Sequence, residues 1–171
     1  MSSADLASKS DAPASGAAAE MTYLTTHDLI WINTVVTGET NPYNYVDLEA
    51  AMAGQYRYGS SRDVPAQAAQ MLRRLVQYRP FAKGNLATAL IATLTFLNAN
   101  GYATVVKDDE AAEILIAVEE GRLDPLTAVQ RLGTPAREAL QGVGLRRLIT
   151  HECNLHVEAL RILSERENAT R

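Results

Sequence analysis

The chain has 171 residues and a net charge of −4, from 16 Lys and Arg against 20 Asp and Glu. That length supports one domain with a sizeable core, and the mild acidity excludes a general affinity for nucleic acid. A single cysteine, Cys153, excludes an internal disulfide and fits a reducing cytoplasm, and no apolar run is long enough to span a bilayer.

Residues 1–20 are rich in Ser, Ala and Asp and lack the apolar centre of a secretion signal. They are expected to form a flexible tail, and Met21 is a second candidate start. Residues 21–171 read as one helical domain. Thr25, with Asp28 three residues on, is a cap for a first helix carrying Leu29, Ile32, Val35 and Val36 up to Gly38. A loop with Asn41-Pro42 precedes a short helix marked by Asp47, Leu48, Ala51 and Met52. Gln55 to Asp63 reads as a loop or a short hairpin. Pro65 then opens a third helix whose inner stripe is Ala68, Met71, Leu72, Leu75 and Val76, with Arg73 and Arg74 pointing outward.

The segment from Asn85 to Ala99 carries Leu86, Leu90, Leu94 and Leu97 on one face, widened by Ile91 and Phe96, so it predicts a deeply buried helix stopped at Asn100-Gly101. Asp108 or Asp109 is expected to cap a helix through Val118. Asp124-Pro125 and Thr134-Pro135 read as two further helix starts. One long helix is expected from Leu145 to Arg166, so residues 134–171 form a C-terminal helical extension. No strand is expected, and the fold class is all-α.

The stretch before the buried helix, Arg79-Pro80-Phe81-Ala82-Lys83-Gly84-Asn85-Leu86-Ala87, resembles the central motif of the Fic/Doc (Fido) family, H-P-F-x-[DE]-G-N-[GK]-R. Pro80, Phe81, Gly84 and Asn85 fall in register. The likeness extends from Leu24 to Leu132 and points to the Doc-like (death-on-curing) branch. It includes Thr26-His27-Asp28 in the opening helix and Asp47-Leu48-Glu49 in the next. Active members transfer AMP or a phosphate from a nucleotide to a protein hydroxyl. The resemblance implies a Fido helical fold and a site where a histidine takes a proton, an acid holds magnesium and an arginine stabilises charge.

Here those three positions are Arg79, Lys83 and Ala87. A guanidinium stays protonated and cannot serve as a base, a lysine repels a cation, and an alanine donates nothing. Losing a general base alone costs roughly a hundred- to ten-thousand-fold in rate. The scaffold residues Pro80 and Phe81 and the amide cradle at Gly84 and Asn85 remain. The expected function is therefore binding by a catalytically inactive Fic/Doc-like protein. Arg79, Lys83, Gly84 and Asn85 would hold a phosphate or nucleotide; alternatively the two cations are solvated charges over a filled pocket. A protein partner is implied, such as a target, an antitoxin or an active relative, and the last helix offers a homodimer surface. No cofactor and no metal are expected. The alternative is a transferase of altered chemistry, which would need ATP and magnesium.

Other constellations read as structural. His151 and His156 are five apart and diverge on a helix, so with Cys153 and Glu152 they suit a surface helix with a half-buried thiol better than a metal site. His27 is read as a surface residue. Tyr43, Tyr45, Tyr56 and Tyr58 are either a peptide-binding edge or cover for the core. Many Fido members carry an inhibitory helix with the pattern [ST]-x-x-x-E-[GN]. Thr134 to Ala139, with Glu138, is the nearest match and reads as a capped helix start.

Overall fold

In a computed structural model of the chain, the described residues are 20–56, 62–136 and 142–170. Residues 1–19 of the expected tail, Tyr58 and Glu138 lie outside them. Eight helices are present among the described residues: α1 Thr26–Thr37, α2 Tyr45–Met52, α3 Val64–Tyr78, α4 Asn85–Ala99, α5 Asp108–Glu119, α6 Pro125–Leu132, α7 Leu145–Leu155 and α8 Val157–Ala169. The all-α expectation holds, and no helix among these residues is long and apolar enough to cross a membrane.

α4 is the axis of the domain. Every residue from Asn85 to Asn98 is buried, which follows from a segment apolar on nearly all sides. α1, α3, α7 and α8 pack around it, α2 and α6 pack against α3, and α5 packs against α8. The predicted punctuation operates as expected at several ends. Thr25 and Asp28 form a reciprocal capping box on α1, Asp63 caps α3 ahead of Pro65, and Asp124 caps α6 ahead of Pro125. Ala68, Met71, Leu72 and Leu75 are buried along α3. Arg73 is exposed on that helix, but Arg74 is half-buried and donates to the Ala50 carbonyl oxygen at 3.0 Å.

Four expectations are corrected. Thr134-Pro135 does not start a helix: Gly133–Pro135 is a strand, β2, paired antiparallel with β1, Tyr102–Thr104. Two three-residue strands are too short to show a period-two pattern in sequence. Asp108 and Asp109 do not cap α5; its N-cap is Lys107, without a side-chain bond. Asp108 instead accepts the α8 amides of Glu158 at 3.0 Å and Ala159 at 2.7 Å. The single last helix is divided at His156 into α7 and α8, because that carboxylate captures two amides which a continuous helix would use internally. The turn containing Glu152 and His156 is not at the surface: both side chains are buried, as is Cys153.

Gly54 lies against α3 so closely that a Cβ there would stand 2.7 Å from the Gln70 carbonyl oxygen and 2.8 Å from the Met71 amide nitrogen. Those are backbone atoms and cannot swing aside. Gly54→Ala is therefore expected to lower stability by about 2 kcal/mol through overpacking, measured as a fall in the urea midpoint at constant slope.

Candidate functional site

The motif loop is a built structure. α3 ends at Arg79, whose backbone is left-handed (φ 46, ψ 61), the only non-glycine residue with positive φ among those described. Such a conformation costs about 1–2 kcal/mol outside glycine, so its neighbours must hold it there. Phe81 then pairs with Tyr43 in an isolated bridge, and Ala82 and Asn44 exchange bonds with Pro42 and Pro80 at 2.9 and 2.8 Å. Asn85 closes the loop from inside: its side chain donates to the Phe81 carbonyl oxygen at 2.7 Å and accepts from the Phe81 amide at 2.9 Å. Asn33 of α1 fastens the other side, donating to the Lys83 carbonyl oxygen at 2.8 Å and to Thr88 at 3.1 Å, while its own oxygen accepts from Asn41 at 3.1 Å.

The loop delivers Gly84 to the N-cap of α4 with φ 74. A Cβ there would collide with Thr37, and the left-handed backbone itself favours glycine. Glycine brings no capping side chain, so the first amides of α4 lack a local acceptor. The acceptor arrives from the far end of the chain. Glu167 of α8, with only 4% of its side chain exposed, takes the Asn85 amide at 3.0 and 3.2 Å and the Asn85 side-chain amide at 3.0 Å. Arg79 completes the set, donating to the same carboxylate at 3.1 Å. The amide cradle, the helix dipole and a guanidinium thus converge on one internal anion.

The charges around it differ from those in the bare motif, where Arg79 and Lys83 look unopposed. Arg79 also donates to Glu119 of α5 at 3.2 Å. Arg166 pairs with Glu119 at 2.6 Å and with Glu120 at 2.8 Å. Three cations, Arg79, Arg122 and Arg166, therefore meet three carboxylates, Glu119, Glu120 and Glu167. Lys83 leaves the cradle and pairs with Glu39 at 2.7 Å, half-exposed. Glu120 is held below the ordinary carboxylate range, chiefly by its hydrogen bond from Arg122. A cleft of about 390 Å³ opens beside the cradle, lined by Arg79, Phe81, Ala82, Asn85, Glu119 and Glu167 among others.

Pro80, Phe81, Gly84, Asn85 and Arg79 thus come together, and Lys83 does not join them. Ala87 is 2% exposed and belongs to the core. The residues missed in the sequence are Glu167, Glu119 and the asparagine clamp Asn33 and Asn41. Nothing local in the sequence marks Glu167, because its partners Arg79 and Asn85 lie 88 and 82 residues away. His27, Tyr43, Tyr45 and Tyr56 are exposed, as is His151. Among the described residues no three His, Cys, Asp or Glu side chains gather as a metal site.

Comparison with family models, with characterised proteins and with solved structures returns no match to this chain.

Glu167→Ala is expected to cost about 2 kcal/mol, from the lost cap and one charge-assisted bond. The figure stays at that level because Arg79 is 39% exposed and retains Glu119. Urea unfolding measures it. Burial, with the Glu152 carboxylate beside it, pushes the Cys153 thiol up to about 11. At neutral pH it is therefore a protonated thiol, and alkylation by iodoacetamide in the folded protein should run at least about a hundredfold slower than in urea.

Proposed function

We propose that the protein is a Fic/Doc-like scaffold that acts by binding, with transfer chemistry lost. Its anion cradle exchanges the internal Glu167 carboxylate for an acidic side chain of a protein partner. The observation that carries this reading is the convergence of the Asn85 amides and the Arg79 guanidinium on one carboxylate. A site that already holds a carboxylate with three donor groups is matched in charge and shape to another.

Three features favour a partner's acid over a nucleotide. The three guanidiniums of the rim, Arg79, Arg122 and Arg166, are already matched by the three carboxylates Glu119, Glu120 and Glu167, so none of them is left unpaired for a polyphosphate. Lys83 is spent on Glu39. No proton acceptor stands at position 79, where the family's chemistry needs one. The proposed setting is a reducing cytoplasm, and the proposed partners are an antitoxin, a target protein or an active relative of the same fold.

Glu167→Ala tests the cradle directly, because the empty seat should be refilled from solution. Acetate at tens of millimolar is expected to raise the melting temperature of the variant by about 2–4 °C and leave the wild type unmoved, in line with ligand linkage. Failure of acetate, phosphate and ATP alike to stabilise a folded variant would end the cradle reading. Incubation of the wild type with labelled ATP and a bacterial lysate should label no protein. A label that disappears in Arg79→Ala would instead establish the transferase.

A further inference from the structure

We infer that α8 is an exchangeable arm. His156 opens so that α7 and α8 straighten into one helix, and α8 of each molecule seats in a second copy of the same chain, forming a two-fold symmetric dimer. This rests on the hinge and stands apart from the reading of the cradle as a partner site.

The hinge is a single residue without a helix-breaker. Asn154-Leu155-His156-Val157-Glu158 contains neither Gly nor Pro, and the local pattern predicts unbroken helix from Leu145 to Arg166. The helical ladder holds on both sides: the His156 amide donates to the Glu152 carbonyl at 3.1 Å, and the Leu160 amide donates to the His156 carbonyl at 2.9 Å. Between them the Glu158 and Ala159 amides go to the Asp108 carboxylate. Straightening returns those two amides to helical carbonyls, so hydrogen bonds are exchanged and not lost.

The closed hinge also carries an unfavourable element. His156 is 2% exposed and Glu152 1%, yet neither ring nitrogen nor the second Glu152 oxygen has a hydrogen-bond partner among the described residues. The facing groups are Glu152 from α7, 3.4 Å from Nε2, Asp108 from α5, 3.9 Å from Nδ1, and neutral Asn98 and Thr104 on the other oxygen of Glu152. Buried polar atoms without partners destabilise the conformation that buries them. Opening releases the His156 side chain.

Apart from the two Asp108 bonds, what holds α8 down is recoverable in a second copy. Ala159 and Leu163 are buried, Arg166 pairs with Glu119 and Glu120, and Glu167 sits in the cradle. Every one of these contacts forms identically when the arm comes from a neighbour, and the symmetric exchange closes. The exchange also gives cover to two apolar side chains that flank the hinge. Leu155 is 49% and Val157 64% exposed, and in the exchanged dimer the two straightened helices cross at this point.

The test is light scattering on the full chain over a concentration series reaching millimolar. A slowly exchanging dimer is expected at the upper end. Asp108→Ala removes the group that holds the hinge bent and should tighten dimerisation at least tenfold. Insertion of three glycines after His156 prevents straightening and should leave only monomer. A folded Asp108→Ala that is no more dimeric than the wild type overturns the inference. Should that variant fail to fold, the glycine insertion decides: the inference falls if the dimer persists undiminished, or if the wild type forms none.

Discussion

The structure depends on one carboxylate placed at the start of its most buried helix. α4 begins after a glycine whose missing side chain cannot cap it, and Asn85, its first residue, is buried. An unpaired buried amide there would cost about 1–3 kcal/mol. Glu167 answers it from a helix 82 residues further along the chain. In doing so it ties α8, the α3 terminus and the motif loop into one unit. The same bond explains why Arg79 tolerates a left-handed backbone: that conformation aims its guanidinium at Glu167 and Glu119 together.

Around that bond the polar groups form two clamps on opposite ends of α4. At its start Asn33, Asn41 and Asn85 hold the motif loop from both sides. Near its end Asn98 donates to Glu152 at 2.6 Å and Asn100 donates to the Thr22 carbonyl at 2.8 Å. Because the middle of the helix is apolar all round, it supplies cohesion without direction. The asparagines supply position, since an amide side chain offers both a donor and an acceptor to backbone groups that must be satisfied. The start of α4 is therefore held by hydrogen bonds among amides and one carboxylate, with a guanidinium at position 79.

Much of the architecture was legible in the chain. The burial of α4 followed from Leu86, Leu90, Leu94 and Leu97 with their flanking apolar neighbours, and the caps at Thr25 and before Pro125 followed from short-range side-chain chemistry. The motif loop was legible as a loop leading into a helix amino terminus. What was not legible depended on distant pairing. Arg79 and Lys83 looked like free positive charge because Glu167, Glu119 and Glu39 are 88, 40 and 44 residues away from their partners. The β1–β2 pair leaves no periodic pattern in the chain, because each strand is three residues long.

Residue type and local spacing were enough for the helical class, the buried axis and the presence of Arg, Lys and Ala at positions 79, 83 and 87. Long-range contacts alone put the Glu167 carboxylate on the first amide of α4, bent the last helix at His156 through Asp108, and turned Lys83 away. Those outcomes are set by which charged and polar groups meet across the fold, and a charge finds its partner in space, not along the chain.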